Sequence, residues 1–275
     1  MEHGFTHETL GALEYLTIPS FTRTGKTRHC FSTRLGGVSR PPLHSMNLGL
    51  NRGDDREAVL ENYRILGKAA GFDPERLIFF HQVHGKEIFV ARAEDAGCAF
   101  QSLSGYDGIV TQVKNLPIAT FHADCVPVFL LDPVREAIGV AHAGWRGTAL
   151  CTPAHALQKM CSEFGTDPRD VLAAIGPCSG VCCYETDGDV PAAMREAFGS
   201  EATPYLRETP PKWHVDLPGL NRLALLQAGI PPEQITMSGE CTCCDPERYW
   251  SHRKTGGVRG AMAAILMLTE QEESK

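Results

Sequence analysis

The chain has 275 residues, 43% hydrophobic and 21% charged, with 18 Pro and 27 Gly, which places it among globular proteins and excludes a low-complexity or disordered chain. Its formal net charge of −7 excludes a broad electrostatic grip on nucleic acid or anionic membrane, while leaving room for a local basic pocket that takes one phosphate. Eleven cysteines with no secretion leader are expected to be reduced thiols, and with no apolar run long enough to span a bilayer the expected location is the cytoplasm.

Along the chain, "FSTRLGGVSRPPLHSMNLGLNRGDD" (31–55) is dense in Arg, Gly, Ser and Asn. It can present Arg34, Asn47 and unpaired N–H groups to an anion, with Gly36 and Gly37 permitting close approach. The alternative is a surface loop with ordinary turn chemistry. Residues 54–72 read as a helix, with acidic residues at the start, Val59, Leu60, Tyr63 and Leu66 at helical spacing, and Gly71 as the stop.

After this helix the pattern turns to strands: 77–82 and 86–92 joined through "VHG", then 106–112, 117–123, 126–132 and 136–143. Several are apolar at every position, so they are expected to be covered on both faces. Residues 147–165 read as a helix, 171–176 as another buried strand, 187–199 and 217–229 as helices with Gly stops, and 258–268 as a closing strand. No repeat or linker interrupts the pattern, which predicts one domain over residues 1–275 and a layered α/β (α+β) fold.

Three residues carry chemistry where strand runs meet turns: His84 in "HQVHG", Cys125 in "HADC" and His142 in "AHAGWRG". Two imidazoles and a thiolate are a common zinc set, and three protein ligands leave the fourth tetrahedral position open to water or substrate. The same residues also read as a Cys125–His142 nucleophile pair with Asp124 or a backbone carbonyl orienting the ring, or as satisfied sheet-end histidines beside a buried small thiol. His81 and His122 compete for the ligand role. In extended chain His81 and His84 point to opposite faces, as do His122 and Cys125, so each pair offers one ligand and one neighbour.

Arg146, just before a helix N-terminus, is a second candidate anion contact, or else a solvated charge. The stretches with Cys178, Cys182 and Cys183 and with Cys241, Cys243 and Cys244 read either as a second metal or redox cluster or as packing thiols; without two facing Cys-x-x-Cys pairs, packing is the expectation, and the other role stays open. "FTRTGKT" is not a phosphate-binding loop, because Ser20 stands where that motif needs Gly.

The ordered blocks "FSTRLGGVS", "MNLGLNRGDD", "ENYRIL", "HQVHG", "DGIVT", "TFHADCVPVFLLDP", "VAHAGWRGT", "AIGPCSGVCCYE", "VDLPGLNRLALLQAGI" and "SHRKTGGVRGAMAAI" resemble the laccase-domain or YfiH-like family. That family was long labelled multicopper polyphenol oxidases and later recognised as purine nucleoside phosphorylases. The resemblance implies one zinc ion on His84, Cys125 and His142; around it, His81 and Asp124 are expected as groups beside the ligands or proton relays, with Arg34, Asn47 and Arg146 at substrate and phosphate. It implies phosphate-dependent cleavage of adenosine, inosine, guanosine and methylthioadenosine, and deamination of adenosine to inosine, by a monomer or weak homo-oligomer with no nucleic-acid or membrane partner. The implied fold is α/β/β/α with mixed sheets, similar to the catalytic domain of cytotoxic necrotizing factor toxins. Copper is the alternative metal, but a multicopper oxidase needs paired His-x-His motifs, and none occurs here.

Overall fold

The computed structural model describes residues 4–97 and 105–270. β1 (Thr6–Leu10), β2 (Leu13–Thr17), a single-turn α1 (Pro19–Thr22) and β3 (Thr27–Ser32) open the chain, and α2 (Arg56–Ala70) follows a long loop. The central third runs β4 (Ile88–Val90), β5 (Gly108–Thr111), β6 (Ile118–His122), β7 (Val126–Asp132), β8 (Ala137–Ala143), α3 (Trp145–Ala149) and α4 (Thr152–Phe164). The remainder runs β9 (Leu172–Ile175), β10 (Glu185–Thr186), α5 (Asp189–Phe198), β11 (Leu206–Thr209), β12 (Lys212–Val215), α6 (Leu217–Gln227), β13 (Ile235–Met237), α7 (His252–Thr255) and β14 (Met262–Leu268).

Side-chain alternation along these strands builds the layers. On β7, Phe129 and Leu131 join Ile118 of β6 and Ala264 of β14 in one buried cluster, while Val128 and Leu130 face the other way, with Leu157 and Met160 of α4 and Leu220 of α6. On β14, Ala264 and Leu266 belong to the first cluster, and Ala263 and Ile265 pack with Val59, Tyr63 and Leu66 of α2. Helix, sheet, sheet, helix is the resulting order, with the main core between the sheets. One sheet is ordered β1-β2-β3-β14-β6, the other β13-β9-β7-β8-β5-β4, and β10-β12-β11 form a small third.

The six-stranded sheet is mixed, with β13–β9 and β4–β5 parallel and the other pairs antiparallel. In the five-stranded sheet the named strands pair antiparallel, and parallel bridges join it at Ile78–Ile118 and Lys114–Leu268. Among the described residues no helix is long and apolar enough to cross a membrane.

Two sequence expectations are corrected. Residues 77–82 form no named strand: Ile78 makes one parallel bridge to Ile118, and then the Gln82 amide replaces the backbone ladder. Its Nε2 donates to Phe121 O at 2.9 Å and its Oε1 accepts from Phe121 N at 2.7 Å. The main chain thereby peels away from the sheet two residues before His84. The helix over 147–165 is broken in two, because Cys151 adopts a left-handed conformation (φ 53) between α3 and α4. Pro153 stands in the first turn of α4, where its missing N–H costs no hydrogen bond.

Candidate active site

β8 runs buried along its whole length and ends one residue after His142, which therefore emerges at the rim of the six-stranded sheet. Opposite it, the tight connection between β6 and β7 holds Asp124 at φ 83 and turns Cys125 toward the same rim. His84 arrives from the segment that Gln82 has lifted off the sheet, also in a left-handed conformation (φ 60). The ligand atoms of His84, Cys125 and His142 all lie within 4.8 Å of one another, with Cys125 Sγ 3.8 Å from His84 Nε2.

One carboxylate organises two of the three. Asp107 is fully buried where β5 begins. It accepts the N–H groups of Val83, His84 and Gly85 at 3.1, 2.9 and 2.7 Å, a nest of successive N–H donors closed on an anion. Its Oδ1 also accepts from His142 Nδ1 at 2.9 Å. With that proton on Nδ1, the Nε2 lone pair of His142 faces Cys125 and His84, the arrangement that a metal-binding imidazole needs. Gly144 completes the cradle, since a Cβ there would stand 2.7 Å from His84 Cδ2 and 3.1 Å from Cys125 Sγ.

Burial by itself would push the Cys125 thiol up, but the His142 and His84 imidazoles bring it down to about 6. Burial would lower His142, yet Cys125 and Asp107 raise it to about 9. The chemistry available is that of a thiolate paired with the His142 imidazolium, a nucleophile pair that becomes a thiolate and imidazole ligand set when a cation displaces the Nε2 proton. His122 is set apart from the trio. Its Nδ1 donates to Cys125 O at 3.2 Å and its Nε2 accepts from Thr120 Oγ1 at 2.8 Å, so both ring nitrogens are engaged. Burial, helped by the neighbouring His142, holds this ring well below the ordinary histidine pKa.

The other candidates separate by what they touch. Asp124 does not orient His142; its carboxylate accepts from Thr242 Oγ1 at 2.7 Å and Arg253 N at 2.7 Å, and its carbonyl from Ser179 N at 2.9 Å. Asp107, which the sequence reading left unremarked inside the 106–112 strand run, is the orienting group. His81 is exposed three positions before His84, with its carbonyl accepting from Gly105 N at 3.3 Å.

Asn47 is corrected from anion contact to internal bracket. It is fully buried, and its amide bonds Gly49 O, Asp54 Oδ2, Gly49 N and Ala261 N, which uses all its donors and acceptors. Arg34 donates to Pro246 O at 2.7 Å and His44 O at 3.0 Å and lies over the Trp250 ring. Arg146 is exposed, with its guanidinium over Trp145.

Two arginines that composition did not single out have stronger claims. Arg259 is held down to about 10 by burial and by the charge of Arg52, while Cys125 and Asp124 pull the other way. Its buried Nε finds no hydrogen-bond partner among the described residues. Both stand in Arg-Gly pairs inside ordered blocks, "NRGDD" and "VRGAM", and that was their signal. The two cysteine stretches expected to be packing thiols also converge: Cys182, Cys183, Cys241 and Cys244 bring their sulfurs within 4.8 Å of one another. Spacing along the chain hid this, because the pairs come from loops joined only in three dimensions.

Residues 28–269 match the family described as multi-copper polyphenol oxidoreductase laccase. Purine nucleoside phosphorylase YlmD of Geobacillus stearothermophilus is 37% identical over 245 residues, covering 87% of this chain and 89% of that protein. Purine nucleoside phosphorylase YfiH of Escherichia coli is 34% identical over 258 residues, covering 92% and 98%. The crystal structure of YlmD from Geobacillus stearothermophilus is similar with a TM-score of 0.91 at 35% identity, covering 98% of this chain and 100% of that one.

Proposed function

Because the chain belongs to the multi-copper polyphenol oxidoreductase laccase family and resembles proteins named purine nucleoside phosphorylase, we propose that it is a purine nucleoside phosphorylase with one zinc ion on His84, Cys125 and His142. The observation that carries the reading is the trio itself: three ligand atoms within 4.8 Å, in a cradle a Cβ on Gly144 would fill, with a buried carboxylate fixing the tautomer of His142. A thiolate with two imidazoles suits zinc. When bound, the ion supplies Lewis acidity at its remaining coordination position.

The chain's own residues do the rest. Cleaving the glycosidic bond builds positive charge on the ribose and negative charge on the departing purine, so phosphate has to be held beside the sugar and the base stabilised. Arg259 and Arg52 meet the phosphate, because an anion between them relieves their mutual repulsion and satisfies the free Nε of Arg259. Arg146 extends the same positive rim. His81 is the group that hands a proton to the purine, and Asp124 anchors the loops on which Cys125 stands. The substrates are adenosine, inosine, guanosine and S-methyl-5'-thioadenosine, giving free base and the ribose or methylthioribose 1-phosphate. The same site deaminates adenosine with water, so the enzyme is both a glycosyltransferase and a hydrolase, working in the cytoplasm.

The test is inosine consumption with and without phosphate, run beside metal analysis. Wild type is expected to release hypoxanthine only with phosphate, and Cys125→Ala to lose at least about 100-fold in rate, as for removal of a principal catalytic group. Full phosphorolysis by Cys125→Ala would overturn the reading.

A second reading rests on the Cys125–His142–Asp107 alignment, which is also that of a thiol hydrolase or deamidase, the chemistry associated with a fold like that of cytotoxic necrotizing factor toxins. It predicts a metal-free enzyme inactivated by iodoacetamide at Cys125. Bound zinc would instead hold that thiolate and slow its alkylation.

A further inference from the structure

Away from the trio, four cysteines meet from two loops. Cys182 Sγ lies 3.5 Å and Cys183 Sγ 3.4 Å from Cys244 Sγ, and with Cys241 all four sulfurs fall within 4.8 Å. Each loop is folded to present them. Cys183 N and Tyr184 N both donate to Gly180 O, and Cys244 N and Asp245 N both donate to Cys241 O, so each pair sits on a closed turn. Gly180 N donates to Cys241 Sγ at 3.3 Å, tying the first loop to the second.

The geometry points to a second metal site, a single zinc ion held by Cys182, Cys183, Cys241 and Cys244. A tetrahedron of sulfurs ~2.3 Å from zinc has edges of about 3.8 Å, close to the separations observed here. Iron–sulfur clusters spread their cysteines around several irons, so sulfurs this close fit one ion. Four protein ligands close the coordination sphere, which makes the site structural. Binding releases the thiol protons to solvent and changes no oxidation state.

The consequence reaches the candidate active site. Ser179 N, next to the first loop, bonds Asp124 O, and Thr242 Oγ1, inside the second, bonds Asp124 Oδ1. The staple therefore clamps both loops onto the residue preceding Cys125. It does not depend on what the active site catalyses.

The experiment counts metals per chain in the purified full-length protein by elemental analysis, without nucleoside. Wild type is expected to hold two zinc equivalents, and both Cys182→Ser/Cys244→Ser and His84→Ala/His142→Ala one each. A wild type with one zinc that is kept by the cysteine variant and lost by the histidine variant overturns the proposal. If the cysteine variant does not fold, the histidine variant decides alone: one zinc retained supports the site and none overturns it. Iron in place of zinc, or a native mass lower by the two hydrogens of a disulfide among these four cysteines, also overturns it. Loss of nucleoside turnover with both zinc ions present would sink the phosphorylase reading and leave this one standing.

Discussion

At the scale of single residues, Asp107 controls the site without occupying it. It is the acceptor for three consecutive N–H groups and for the His142 ring, so its charge sets both where His84 sits and which nitrogen of His142 is free. Asp107→Asn keeps the shape but puts an N–H₂ group where an acceptor is needed. Loss of such an outer carboxylate typically weakens metal binding by about 10–100-fold, and that weakening is expected here in zinc affinity measured by competition with a chelator. Unchanged affinity would mean that the trio holds itself. The trio was legible in sequence because Cys and His interrupt apolar runs at strand ends. Asp107 was not, since it stands at the start of a strand run with no Cys or His beside it, and only folding brings the "VHG" N–H groups onto its carboxylate.

Among elements, the instructive one is the loop between β3 and α2. Its Gly, Ser and Asn content suggested an anion cradle, yet most of its polarity is spent internally. Asn62 of α2 is fully buried; its Oδ1 accepts from Val38 N at 2.8 Å, and its Nδ2 donates to Ser39 Oγ, Ser45 O and Asn47 O. Helix periodicity located α2, and Asp55 and Gly71 cap it as expected, but periodicity cannot tell that a polar residue on the inner face docks a loop. Asn62→Ala leaves these loop groups buried without partners. At about 1–3 kcal/mol for each unsatisfied group, the variant should lose about 3 kcal/mol of unfolding free energy in a urea titration. A loss below about 1 kcal/mol would show that water replaces the side chain and the loop is not docked by it. The sequence reading named none of β1, β2, β3, β13 and the small β10–β12–β11 sheet; of these, β1 and the small sheet have much exposed or half-buried character, so no strong apolar alternation announces them, whereas β3 is largely buried.

Across the whole molecule, the two ends of the chain meet in one sheet: β14 lies between β3 and β6, which makes the main core complete only when the last strand is in place. The buried β-runs made this layered architecture readable, whereas strand order depends on contacts remote in sequence. His29 of β3 pairs with Leu266 of β14 at this seam. Its ring is buried, with Nε2 accepting from Ile18 N at 2.8 Å and Nδ1 bonded to Thr27 Oγ1 at 3.1 Å. Burial lowers its pKa from 6.5 to about 4, so between those values the unfolded chain takes up a proton that the folded chain refuses. The stability linked to the neutral ring is therefore complete above pH 6.5 and is lost as the pH falls toward 4. The slope approaches ~1.4 kcal/mol per pH unit, or about 3 kcal/mol in all. His29→Gln keeps an acceptor for Ile18 N but cannot titrate. Urea unfolding at pH 7 and pH 4 should show wild type losing about 3 kcal/mol more than this variant, with acid effects at His84, Cys125 and His142 common to both. Equal losses would mean that the seam opens to water and protonates without unfolding.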